Sequence, residues 1–132
     1  MSAENLETVR RAHEALSAGE IEALVALCDP GFRLDMSDRV FNPAVYDGHE
    51  GIRAFYREVM GVWESFTWEV TEVEEHDGVI VALLRSTGKA RASGLEIDRR
   101  SAMVWHVDKG RAMSLTFYRD PAQALAAARE RG

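Results

Sequence analysis

The chain is short of cysteine, proline and positive charge, and each shortage closes off a class of protein. Cys28 is its single cysteine in 132 residues, so neither an intramolecular disulfide nor a cysteine metal cluster is expected. With three prolines, it has no linker, internal repeat or low-complexity stretch. Sixteen Lys and Arg face 22 Asp and Glu, a net charge of −6. That balance, without a basic run, argues against nucleic acid or an anionic membrane surface as partner. No stretch approaches the ~20 apolar residues of a membrane span. The opening Met-Ser-Ala-Glu-Asn has neither the basic start nor the apolar run of a signal peptide. The setting these features imply is reducing and cytoplasmic.

What is present is an ordinary globular composition, 46% hydrophobic and 29% charged, enough for one domain over residues 1–132 with its own core. The stretch Val79–Val107 reads as two long strands joined by a turn within Thr87–Gly94. Alternation places Val79, Val81, Leu83, Arg85 and Thr87 on one face. The returning arm adds Ile97, Arg99, Ser101, Met103, Trp105 and Val107. Bulky apolar groups sharing a face with arginines suggest a small-molecule pocket, because an all-core face would exclude unpaired guanidinium groups.

Before this pair, residues 3–17 have helical spacing at Leu6, Val9, His13 and Leu16, and Gly19 marks a stop. A second short helix covers Ile21–Leu27, a strand Phe32–Met36, and a polar loop residues 37–47. A third helix spans about Glu50–Trp63, with a strand from Ser65 to roughly Glu75. His76-Asp77-Gly78 and Asp108-Lys109-Gly110 are turn signals. A last strand, Arg111–Tyr118, precedes a C-terminal helix at Pro121–Arg129. Helices followed by a four-strand meander point to an α+β fold, with helices on one face of a curved antiparallel sheet.

The order of elements and several local motifs resemble the nuclear transport factor 2-like superfamily and, within it, the SnoaL-like proteins. The motifs are Val9-Arg10-Arg11 through Leu16-Ser17-Ala18-Gly19-Glu20, Leu24-Val25-Ala26-Leu27, Gly48-His49-Glu50-Gly51-Ile52-Arg53-Ala54-Phe55-Tyr56, and Trp105-His106-Val107-Asp108-Lys109-Gly110. The resemblance implies a cone in which the sheet wraps over three N-terminal helices around an apolar cavity. It also implies cofactor-free isomerase, cyclase or hydrolase chemistry on a hydrophobic cyclic or carbonyl compound. The same fold hosts non-catalytic ligand-binding modules and structural proteins.

Carried over residue by residue, the resemblance loses most of the isomerase machinery. The oxyanion-hole Tyr and Asp of those enzymes fall on Ala12 and Met103. Their general base falls on Met36, with Asp35 beside it but facing the other way by alternation. Tyr56 keeps its tyrosine. The epoxide hydrolases of the family pair an arginine with two carboxylates, and Arg85 is the arginine that fits.

The candidate catalytic set is therefore Arg85, to steady developing negative charge, with His13 or Asp38 to move a proton. Candidate substrate contacts are Phe55, Tyr56, Trp63, Leu83, Arg99, Met103 and Trp105, with Arg100 an alternative to Arg99 after a bulge. Each has a plain reading beside it. Arg85 can ion-pair at the sheet edge, His13 can be a satisfied core histidine, and Asp38 can be a solvated turn residue. The aromatics can be core, as Trp68 is expected to be. His49, His76 and His106 read as solvated, and no pair has metal-ligand spacing with carboxylates. The expected partners are a small hydrophobic molecule and a second copy of the chain, the homodimer forming through an outer sheet face of Ala82, Leu84, Ala102 and Val104.

Overall fold

Apolar side chains three and four apart build the first helix. In the computed structural model, which describes residues 3–40 and 42–131, α1 (Ala3–Ala18) buries Val9, Ala12, His13 and Leu16 along one stripe. Next come α2 (Ile21–Ala26), β1 (Cys28–Asp35), β2 (Val45–Asp47), α3 (Gly48–Val62) and β3 (Trp63–His76). The chain continues as β4 (Val79–Ala90), β5 (Glu96–Asp108), β6 (Arg111–Tyr118) and α4 (Pro121–Arg131).

The six strands form one sheet in the order β2-β1-β6-β5-β4-β3. It curves over α1–α3 without closing, and the architecture is the expected α+β cone. Two features differ from expectation. β1 runs parallel to β6, so the sheet is mixed rather than antiparallel throughout. β2, in the stretch read as loop, pairs with β1 through Leu34 and Tyr46. Alternation shows that a strand has two faces; it does not show which distant strand lies beside it or in which direction.

The central hairpin holds the main correction. Ile80 pairs with Trp105, Ala82 with Met103, Leu84 with Ser101, Arg85 with Arg100 and Ser86 with Arg99, each pair joining an even-numbered to an odd-numbered residue. Leu83 and Arg85 therefore face away from Met103 and Trp105, whereas the sequence reading placed all four on one face. No bulge interrupts this pairing, and the turn alone sets the register. Ile80, Ala82, Leu84, Met103 and Trp105 point inward and join Val9, Leu16, Phe32 and Phe55 in the main core.

The opposite face carries Val79, Val81, Ala102 and Val104, which pack on Ala124 and Ala128 of α4, with Leu83 and Leu125 at the margin. Strands buried on both faces read as continuous apolar runs, which is why Val-Ile-Val-Ala-Leu-Leu at 79–84 has no polar alternation. The outer face expected to bind a second copy is thus revised: Ala82 and Leu84 face inward, and the chain's own C-terminal helix covers Ala102 and Val104. An ion pair from Arg129 to Glu74, at 2.9 and 3.0 Å, ties α4 to β3.

α1 is fastened at both ends, which fixes the direction its buried face points. Near its start the Asn5 side chain accepts a hydrogen bond from the Gly110 amide at 2.9 Å, and the Thr8 hydroxyl donates to the Gly110 carbonyl at 2.7 Å. Gly110 sits at φ +76°, and a Cβ there would meet Glu4 at 2.8 Å, so this turn needs glycine. At the far end the Ser17 hydroxyl donates to the Trp68 carbonyl at 3.2 Å.

Candidate functional site

Between α1 and β3 lies a groove of about 480 Å³, within the size range of small-molecule sites. Leu6, Val9, His13 and Ser17 form its α1 wall; Trp68, Val70 and Val73 form its β3 wall; Arg10, Glu14 and Glu69 complete the lining. The walls are mainly apolar. Arg10 is occupied by Glu7 and Glu14. A smaller hollow of about 270 Å³ between α1 and α2 is lined by Arg11, Glu14, Ala15, Glu20, Ala23 and Leu27. It does not include His13.

His13 is the chemically distinctive group of the larger groove. It is 4% exposed, and its Nε2 lies 3.0 Å from the indole nitrogen of Trp105. The two rings meet edge to face at 5.4 Å. An indole N–H can only donate, so Nε2 is the acceptor and carries no proton. The other ring nitrogen, Nδ1, is shielded from water and has no hydrogen-bond partner among the described residues. Burial pushes the imidazole down from 6.5 to about 4, because a charge there would lose its hydration. The ring is therefore neutral near pH 7, with Nδ1 buried and without a partner among the described residues.

The three expected catalytic residues do not converge. Arg85 lies on the outer face, 47% exposed, with its guanidinium on both Asp98 oxygens at 2.9 and 2.6 Å. Asp98 holds the Arg85 pKa above its usual value, and Arg85 holds that of Asp98 below its own. Asp38 accepts a hydrogen bond from the Arg119 amide at 2.8 Å and has the Arg119 guanidinium at 3.6 Å. It fastens the loop after β1 to the end of β6. Only His13 reaches the groove.

The expected substrate contacts also scatter. Phe55, Met103 and Trp105 are core side chains, 3%, 1% and 1% exposed, and Phe55 packs edge to face on Tyr46. Trp105 meets the site through its indole N–H rather than as lining. Leu83 packs towards α4, and Arg99 is exposed beyond Ser101 on the inner side of β5. Tyr56 is half-buried, with its hydroxyl against Gly19. Trp63 meets Phe66 edge to face and Phe66 lies tilted against Trp68, which leads an aromatic row up to the groove.

Sequence reading assigned Trp68 to the core and left out Val70, Val73 and Ser17. The alternation Phe66, Trp68, Val70 was the available signal, but it does not show that α1 leaves the free edge of β3 partly uncovered. The histidines expected to be solvated all have partners. His49 bonds the Cys28 carbonyl at 2.9 Å, His76 the Glu74 carboxylate at 2.6 Å, and His106 the Ser114 hydroxyl at 3.1 Å. The Cys28 thiol is buried and pushed up to about 12, so it is not a nucleophile near neutral pH. No three His, Cys, Asp or Glu side chains among the described residues are grouped to hold a metal ion. No helix among them is long and apolar enough to cross a membrane.

Comparison with known proteins agrees with this architecture. The family profile for the SnoaL-like domain matches residues 9–115. A structure of an NTF2-like protein of unknown function from Burkholderia pseudomallei K96243 is 23% identical, with a TM-score of 0.80 over 96% of this chain and 98% of that one. TerC, co-crystallised with polyporic acid, is 17% identical, with a TM-score of 0.80 over 97% and 99%. A putative SnoaL-like polyketide cyclase from Jannaschia sp. CCS1 is 19% identical, with a TM-score of 0.77 over 97% and 95%. At such identities the structures establish a shared fold. A comparison with curated proteins finds no match. With most of its length matched by the family profile and its cone shared with these structures, the chain belongs to the SnoaL-like domain family.

Proposed function

We propose that the chain is a cofactor-free enzyme that takes a small hydrophobic cyclic carbonyl compound into the groove between α1 and β3. There it carries out proton transfer or hydration, the step of an isomerase, cyclase or hydrolase. The observation that carries this reading is the mainly apolar groove of about 480 Å³ between α1 and β3, with the buried His13 in its lining. Neither lining carboxylate is free to serve the proton transfer, since Glu14 is taken up by Arg10 and Glu69 sits opposite Arg85 on the outer face. Family membership supports the reaction class, and one fold relative was co-crystallised with polyporic acid.

The test is a thermal-shift series with apolar ketones, followed by deuterium uptake at the carbon beside the carbonyl of 1-tetralone in D2O. Stabilisation and protein-dependent exchange are expected, both abolished by Val70→Arg, which places a charge in the β3 wall. Equal stabilisation of the Val70→Arg variant would overturn the site.

A non-catalytic ligand-binding module is the second reading, favoured by the failure of Arg85 and Asp38 to reach His13. Stabilisation by ligand without exchange would select it. A filled structural domain would show neither. We place the protein in the cytoplasm on the strength of its single buried thiol. The homodimer is kept as a proposal with a new seat. With α4 over the apolar half of the outer sheet, a second copy would meet the polar half around Thr67, Arg85, Thr87 and Asp98. Light scattering should give twice 14.8 kDa; the monomer mass would refute it.

A further inference from the structure

The groove between α1 and β3 is long rather than round. Its α1 wall runs from Leu6 to Ser17 and its β3 wall from Trp68 to Val73. At helical rise the first wall is about 16 Å long, and at extended rise the second is about 17 Å. The Ser17 hydroxyl bonds the Trp68 carbonyl at one end, so Leu6 and Val73 mark the other. A volume of about 480 Å³ spread over that length leaves a cross-section of about 30 Å². That is room for one hydrocarbon chain and not for two abreast.

A bulge in β3 keeps the far part of its wall apolar. Val70 lies opposite Leu84; the pairing then shifts, so that Glu72 opposes Leu83 and Val73 opposes Ala82. Ala82 and Leu84 point into the core, so Val73 takes the inward side that unbroken alternation would give to Glu72. The stripe Trp68, Val70, Val73 is thus continuous and uncharged. Val73 is nevertheless 43% exposed, and Leu6 and Val70 are only half-buried. Three apolar side chains along one groove therefore keep part of their surface in water. The charges of the lining argue against an anionic occupant. Its arginine, Arg10, lies between Glu7 and Glu14, which leaves it unavailable to a carboxylate head.

We infer that the ligand of this groove is an uncharged ring ketone with an unbranched alkyl tail. The ring lies against Trp68, and the tail runs past Val9 and Val70 towards Leu6 and Val73. The inference rests on the groove being the ligand site, as proposed above, and adds the shape of what it takes. A compact bicyclic ketone fills one end of so long a groove. A straight tail reaches the rest and takes the open flanks of Leu6, Val70 and Val73 out of water. The broad indole of Trp68 suits a ring, and the aliphatic walls beyond it suit methylenes.

The test measures dissociation constants of 4-n-alkylcyclohexanones, from methyl to dodecyl, for the full chain. Affinity should rise about two- to fourfold per methylene and level off once the tail reaches the end of the groove. A tail branched at its first carbon should lose most of that gain, and dodecanoate should bind more weakly than the octyl ketone. Val73→Trp, which plugs the exposed end, should move the levelling point to a shorter tail. Leu6→Trp makes the same test from the helix side where Val73→Trp fails to fold. Affinity that does not grow with the tail, equal binding of straight and branched tails, tighter binding of dodecanoate, or a levelling point unmoved by the plug overturns the inference. If the methyl and octyl members bind alike and both lose binding in Val70→Arg, the groove stands as the ligand site and the tail alone falls. If neither 1-tetralone nor any member of the series binds, the proposed site falls and the tail with it.

Discussion

His13 answers to two surroundings at once, a tryptophan that fixes one nitrogen and a packed interior that leaves the other without a partner among the described residues. Its pKa is lowered in the folded chain, so the unfolded chain binds the extra proton first as pH falls. The stability that depends on a neutral His13 is complete above pH 6.5 and lost as pH drops through about 4. By pH 5 the loss is about 2 kcal/mol. Urea unfolding at pH 7 and pH 5 should show it in the wild type, with that part of the difference missing in His13→Leu.

His13→Leu and Trp105→Phe each orphan a buried polar group, whereas the double variant removes both. A double-mutant cycle should return a coupling of about 1–2 kcal/mol; additivity would show that the hydrogen bond is not made. Arg85→Met, by contrast, should leave ketone binding and turnover unchanged, since its exposed ion pair with Asp98 lies on the other face of the sheet. The position of His13 on the apolar stripe of the first helix was legible in the sequence. Its partner was not, because the sequence separation between His13 and Trp105 is bridged only by the sheet register.

Among the elements, α1 and α4 show what alternation can and cannot convey. The helix spacing of residues 3–17, the two Gly-containing turns and the strand Arg111–Tyr118 could all be read in advance, because local chemistry dictates them. The relative phase of β4 and β5 could not, because each strand's alternation is consistent with either face pairing. The cover supplied by α4 was hidden for a related reason: the helix reads only as a short run of alanines. Its role is testable. A chain ending at Asp120 should uncover Val79, Val81, Ala102 and Val104 and associate into species larger than a dimer by light scattering, while the full chain at the same concentration does not. An unchanged mass would mean that the helix protects nothing.

At the scale of the whole molecule, the cone is settled by a core that draws on all three N-terminal helices and the inner face of the sheet. Family membership rests on the profile match over residues 9–115. The chemistry is a separate matter, since the positions onto which the resemblance places the isomerases' tyrosine and two carboxylic acids are here Ala12, Met103 and Met36, all buried and apolar. A fold that keeps its architecture while losing those acids has to bind its ligand with other groups, and the α1–β3 groove offers one.

The central claim is that this groove, with the buried His13 ring in its lining, is the ligand site. Titration of ¹⁵N-histidine-labelled protein with 1-tetralone tests it most directly. The account predicts that the His13 Nδ1–H resonance shifts with saturation while those of His49, His76 and His106 stay in place. A His13 signal that does not move at ketone concentrations that stabilise the protein would contradict it.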